Sequence, residues 1–342
     1  MKRIATVLAR SLLVAAVACA AARCGEKPEP IVPLTSLADA QGGGRIYFDT
    51  ISIPPSATSW IGTIYERSTI WGDLDLPPIA GFGRVPAVIL VPDCDGVGAA
   101  LHGWSDVLQA VGYATFRLDS FGGREVKETC AGQQVINVVS LVGDIYNAQA
   151  LLATHPSIDP ARIAVMGFGT GGWAAAWAAL TRYQRQLKRA GTMPIAAYLA
   201  FYPTLCAFHL RDETEIAGGP IRLFHGTADD AMPLPACRDW AQRMRAAGRD
   251  VGIYEYAGAR HGFDVPAFSP PRAFADYVNF GNCDFSERPD GAFVDRATGA
   301  RPAPNAACAA RGYTQGYDAV ALKKSIEDVK ALLAVVFRTG GG

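Results

Sequence analysis

The chain has 342 residues, half of them apolar and 19% charged, which is ample material for a packed core and unlike a disordered composition. Lysine plus arginine balances aspartate plus glutamate at 32 each, so charge gives no reason to expect a nucleic-acid partner or an anionic surface. No internal repeat or long low-complexity tract suggests a solenoid or an array.

The first 22 residues read as an export signal. Lys2, Arg3 and Arg10 form a basic start, and Ser11–Ala22 is an apolar stretch too short to span a bilayer. Two cleavage sites compete. "AVAC" (Ala16–Cys19) resembles a lipoprotein signal that would leave Cys19 lipidated, the one route to membrane attachment. "AAA" (Ala20–Ala22) suits ordinary signal peptidase and free secretion to the periplasm. Residues 23–44, carrying prolines and Gly42–Gly44, read as a flexible linker.

A strand–helix alternation then begins. Strands are expected at 45–51, 60–66, 87–93, 113–119, 162–168, 196–202, 221–227 and 251–257, from their apolar, β-branched or aromatic runs. Helices are expected near 99–111, 136–154, 171–190, 235–248 and 318–337. The first two strands precede any helix and suit an antiparallel edge. The rest suit a parallel sheet covered on both faces, giving one α/β domain over 45–338 with eight strands. Residues 266–312, rich in proline, glycine and polar side chains, read as an insertion before the last helix.

Past the signal, Cys94, Cys130, Cys206, Cys237, Cys283 and Cys308 make an even six, with Cys24 unplaced. Six cysteines allow fifteen pairings; neighbours in sequence would give Cys94–Cys130, Cys206–Cys237 and Cys283–Cys308, the last stapling the insertion. Buried free thiols are the alternative. No Cys/His spacing suggests zinc, and no cofactor is expected.

In such a sheet, chemistry gathers at the carboxyl ends of the strands. Those ends read "PDCDG" (92–96), "LDSFGGR" (118–124), "GFGTGG" (167–172), "HGTADD" (225–230) and "ARHGFD" (259–264). A glycine-rich strand–helix turn, an acid and a histidine follow in the order of the α/β-hydrolases. A dinucleotide site is disfavoured, because "GFGTGG" follows the fifth strand rather than the first.

The blocks 112–124, 158–172, 225–233 and 259–264 together resemble the dienelactone hydrolase family over roughly residues 45–338. The resemblance implies an α/β-hydrolase fold and hydrolysis of esters or lactones. The nucleophile of the family's elbow falls on Gly169, the acid on Asp229 and the base on His261. Thr170 would supply one oxyanion-hole N–H. The loop Pro92-Asp93-Cys94-Asp95-Gly96, which would supply the other, carries two carboxylates in place of small neutral residues. Arg124 and Tyr202 are expected near the mouth, where they could orient a carboxylate or a ring.

A serine or cysteine needs an adjacent imidazole to take its proton, and a carboxylate to hold that imidazole. Asp229 and His261 satisfy the second requirement, while Gly169 carries no attacking atom. Three readings follow. The first is a degenerate hydrolase acting as a binding or accessory protein for a small ester, lactone or carboxylate. The second is an active hydrolase using water activated by His261, or Thr170 or Cys94 as nucleophile. The third is a metal site built from Asp93, Asp95, Asp229 and His261.

Overall fold

The computed structural model describes residues 31–54, 65–132 and 136–339. Two compact units are distinguished, Met1–Val32 and Pro33–Gly342; all that follows concerns the second. The signal segment and its two cleavage sites, with Cys19 and Cys24, lie outside the described residues.

Eight strands form the central sheet: β1 (Gly44–Ser52), β2 (Glu66–Asp75), β3 (Val85–Val91), β4 (Ala114–Asp119), β5 (Ile158–Phe168), β6 (Tyr198–Phe201), β8 (Ile221–Gly226) and β9 (Val251–Tyr256). Their order is β1-β2-β4-β3-β5-β6-β8-β9. The β1–β2 and β2–β4 pairs are antiparallel and the others parallel. The chemistry of the runs explains their places. β3 reads VPAVILV and is buried at every position, as a central parallel strand must be. β1 alternates buried and half-buried residues, as an edge with one packed face does.

Helices α1 (Ala99–Gln109), α2 (Val138–Leu152), α3 (Thr170–Trp177), α4 (Thr181–Leu187), α5 (Leu234–Ala246) and α6 (Ala319–Thr339) cover the two faces. Two apolar clusters result: Phe116, Ile145 and Leu223 belong to one, and Leu90, Phe201 and Leu333 to the other. No helix among the described residues is long and apolar enough to cross a membrane.

Three sequence expectations need correction. The strand expected at 60–66 lies almost wholly outside the described residues, and the observed strand is Glu66–Asp75. The helix expected over 171–190 is two helices. Between them the backbone pairs with a neighbouring segment, through Thr181 N–H to Glu215 O at 2.8 Å and Ala217 N–H to Ala179 O at 2.9 Å. The linker's described end is not a free tether: Leu37 is buried, and its N–H donates to Thr154 Oγ1 at 2.7 Å.

Residues after β9 form an annex. β10 (Arg272–Asn279) pairs with β13 (Ala310–Gln315), while β11 (Phe285–Glu287) joins β12 (Phe293–Asp295) and the short β7 (Phe208–His209). Arg182 of α4 holds it through a bidentate ion pair with the buried Glu287, at 2.5 and 2.9 Å. Disulfides join Cys94–Cys130, Cys206–Cys237 and Cys283–Cys308, each with its Cα atoms 4.9–5.0 Å apart. Bridges of this kind belong to oxidising compartments outside the cytoplasm.

Candidate active site

β5 turns into α3 through Gly169, whose φ of 47° and ψ of −111° lie in a region few side chains tolerate. The turn is tight because its neighbours are glycines: a β-carbon on Gly171 would overlap the carbonyls of Val91 and Pro92. The peptide N–H of Thr170, first residue of α3, is thereby aimed back toward the end of β3.

What it meets there is a carboxylate. Asp93 Oδ1 accepts the Thr170 N–H at 2.9 Å and the Cys94 N–H at 2.6 Å. A β-carbon on Gly169 would overlap Oδ1, Cγ and Oδ2 of Asp93, so this carboxylate fills the space where a side chain of the turn would begin. Its second oxygen faces His261: Nε2–H donates to Asp93 Oδ2 at 3.3 Å, while Nδ1–H donates to Asp229 Oδ2 at 3.0 Å.

Asp229, in the turn after β8, is buried and held rigid by the N–H groups of Ala231 and Met232, which donate to Oδ1 at 2.9 and 3.0 Å. His261 is fixed from several sides. Tyr202 and Tyr313 pack on its ring at centroid distances of 4.6 and 5.1 Å, and its backbone bridges to Gln315 of β13. Burial alone would lower the imidazole's pKa. The charge and hydrogen bond of Asp229, reinforced by Asp93, outweigh that and push it up to about 10. Burial likewise works against ionisation of Asp229, and His261 overcomes it, holding that carboxyl below its ordinary value. The resting trio is an imidazolium clasped between two carboxylates.

Beside the trio lies a pocket of about 40 Å³, walled by Ala99, Leu101, Phe168, Val265 and Phe268. Asp93 is the member of the trio that lines it, with Asp95 and Gln315 at its polar margin. Asp95 presents surface to solvent, but protein crowds its carboxyl. This partial burial, and then the Asp93 charge, push it up to about 6.

Tyr202 also lines the pocket, with a strained φ of 35°. Its hydroxyl donates to Asp264 Oδ1 at 2.8 Å, and Trp104 Nε1–H donates to Asp264 Oδ2 at 2.8 Å. Burial raises the Asp264 pKa, and those two hydrogen bonds offset part of the rise. Tyr202 thus contributes to the pocket wall while its hydroxyl is spent on Asp264.

Arg124 does not reach the pocket. Its guanidinium makes two 2.8 Å bonds to the buried Asp144 and also bonds Ser52 Oγ and the Ile51 carbonyl. The 3-10 turn after β4 carries it toward β1 and α2, so the expected ligand-orienting role is replaced by a structural ion pair. Cys94 supplies a backbone N–H, and its sulfur is bonded to Cys130, which removes it as a nucleophile. The metal reading fails as well. Among the described residues no three His, Cys, Asp or Glu side chains are grouped to hold an ion, and His261 spends both nitrogens on carboxylates.

With this geometry in view, comparison with known proteins is decisive at one level. The profile of the Dienelactone hydrolase family matches residues 75–287. The chain belongs to the dienelactone hydrolase family. A crystal structure of a Klebsiella pneumoniae subsp. pneumoniae MGH 78578 protein, provisionally assigned as a dienelactone hydrolase, shares the fold. It is 17% identical with a TM-score of 0.53, over 85% of this chain and 99% of that one. A dienelactone hydrolase-like promiscuous phosphotriesterase from metagenomic libraries is 16% identical, with a TM-score of 0.47 over 86% of this chain and 99% of its own. An esterase of Thermogutta terrifontis with bound propionate is 19% identical, with a TM-score of 0.46 over 62% and 84%. No curated protein matches the chain.

The sequence flagged Asp93 as an opponent of an oxyanion, and missed that it would take both amides. It also missed Asp264, Tyr313, Gln315 and Trp104. Asp264 lay within the quoted "ARHGFD", but no local signal marked its partners.

Proposed function

We propose that this protein is an exported member of the family that is degenerate as an ester or lactone hydrolase, with Gly169 standing where the nucleophile was. Its pocket serves a small neutral molecule. The observation that carries this reading is Asp93 Oδ1, which accepts both the Thr170 and Cys94 N–H groups. Those two donors form an oxyanion hole, and an ester's carbonyl oxygen must enter it for the tetrahedral intermediate to form. Loss of one such donor costs about 10²–10³ in turnover; here both are engaged, and a negative charge sits where another must develop. At about 4 Å and an effective dielectric of 20, that repulsion costs about 4 kcal/mol. A carboxylate ligand meets the same obstacle, which leaves a neutral occupant.

The alternative of water activated by His261 is weakened by the same clasp. An imidazole that keeps its proton up to about pH 10 has no lone pair to offer water in the resting state. Export is supported by the basic-then-apolar first 22 residues and by the three disulfides. Lipidation at Cys19 is the finer variant, read from "AVAC" alone.

Hydrolysis of p-nitrophenyl acetate tests this reading. The native protein is expected to match its heat-denatured control. Turnover that His261→Ala removes would overturn the degenerate reading.

A further inference from the structure

The carboxylate that blocks acyl transfer is itself well placed for a different reaction. We propose that Asp93 is a catalytic nucleophile that displaces halide from the sp3 carbon of a small neutral alkyl halide, with His261 activating the water that later frees the product. This rests on the reading that Asp93 closes the site to esters, and gives the pocket a chemistry of its own.

Five observations converge on it. Asp93 is the member of the trio that faces the pocket, with 13% of its side chain exposed against 1% for His261 and none for Asp229. The walls are apolar, which suits an alkyl group. Asp93 and Asp95 at one margin repel anionic substrates such as halo-acids or phosphate esters. A volume of about 40 Å³ has room for about three waters, which limits the substrate to a few heavy atoms.

The fifth observation is where the two amides point. Attack of a carboxylate on an acyl carbon would put negative charge on the substrate's oxygen, and the donors for that oxygen are already used. Displacement at an sp3 carbon creates no oxyanion on the substrate. It turns Asp93 into an alkyl ester whose own carbonyl oxygen, Oδ1, already rests on the Thr170 and Cys94 N–H groups. The oxyanion hole therefore serves the second half of the reaction, when water adds to Cγ.

The steps balance. Oδ2 bonds to the carbon as the carbon–halogen bond breaks and halide departs. The ester is neutral, so His261 loses one of the two carboxylate charges that held its proton, and releases that proton to solvent. Nε2 then takes a proton from water, hydroxide adds to Cγ, and the charge moves onto Oδ1. Collapse breaks the Cγ–Oδ2 bond, and the alkoxide leaves with the His261 proton as an alcohol. The Asp93 carboxyl then passes its own proton to His261, restoring the carboxylate and the imidazolium. The net change is alkyl halide plus water giving alcohol plus hydrogen halide. The alcohol's oxygen comes from Asp93, and the water's oxygen stays in the carboxylate.

The test uses 1-bromopropane with the exported, disulfide-bonded protein. Bromide release is expected from the native protein and is expected to fall more than about a thousandfold in Asp93→Asn. His261→Gln, kept folded by its neighbours' packing as checked by circular dichroism, is expected to retain one propyl group on the peptide carrying Asp93. A single turnover in ¹⁸O-water is expected to label Asp93 and leave the propanol unlabelled. Absence of both bromide release and a propyl adduct in the folded proteins would overturn the proposal, as would label in the propanol. Ester turnover by the native protein would instead count against the degenerate reading, so the two failures are separable.

Discussion

Asp93 Oδ2 and His261 Nε2 stand 3.3 Å apart, on the side of the imidazole away from Asp229. In a serine or cysteine hydrolase that nitrogen faces a neutral hydroxyl or thiol; here it faces a second carboxylate. The ring is therefore a cation held by two anions.

The pH dependence follows directly. The folded-state pKa of about 10 lies above the ordinary 6.5, so His261's contribution to stability is complete below about pH 6.5 and is lost as pH rises through about 10. In Asp93→Asn the amide cannot clasp the imidazolium, so the pKa should fall, with Asp229 alone left to oppose burial. Titration of the His261 ring protons by NMR checks the native value and the fall, and the native melting temperature should drop more steeply than the variant's between neutral pH and pH 10.

Placing a side chain at the turn should fail unless Asp93 goes with it. Gly169→Ser alone places its β-carbon on the Asp93 carboxylate, forcing that group off two amides and an imidazolium. No p-nitrophenyl acetate turnover is expected, with a loss of stability of about 1–3 kcal/mol from strain. Gly169→Ser with Asp93→Gly opens both the hole and the histidine, and should gain measurable turnover that His261→Ala removes.

Thiol titration checks the bridges. Exported protein, denatured without reductant, should show no more than one reactive thiol, since all six cysteines of the domain are paired. Four or more would contradict the pairing. Cys130→Ser should lower stability by about 3–4 kcal/mol through its 36-residue loop, and free the loop that carries Asp93.

Arg124 should matter for stability and leave the pocket's chemistry untouched. Arg124→Met strands Asp144, which is fully buried, at a cost of about 3–5 kcal/mol in urea denaturation. Adding Asp144→Leu should recover most of that loss, because the stranded charge is gone.

The sheet was largely legible because parallel strands advertise themselves as unbroken apolar runs, as in Val85–Val91 and Tyr198–Phe201. β2 was not, because its residues spend themselves on charge pairs. Asp73 bonds Arg45 and Asp75 bonds Arg117, so the strand does not read as apolar. At the site, Gly169, Asp229 and His261 were placed by their order along the chain. The rotamer of Asp93 was illegible, since it depends on an amide 77 positions away. The same holds for Asp264, whose partners Trp104 and Tyr202 lie 160 and 62 positions off. Arg124 misled because position after a strand does not say which way the following turn rotates.

The overlap between a β-carbon at 169 and the Asp93 carboxylate also ties the two positions together in any variation of this chain. A chain holding both a side chain at the turn and this aspartate in this rotamer would collide with itself, so a substitution at 169 is tolerated only with a change at 93. With the carboxylate seated on the two amides, a side chain can enter the turn only by evicting it.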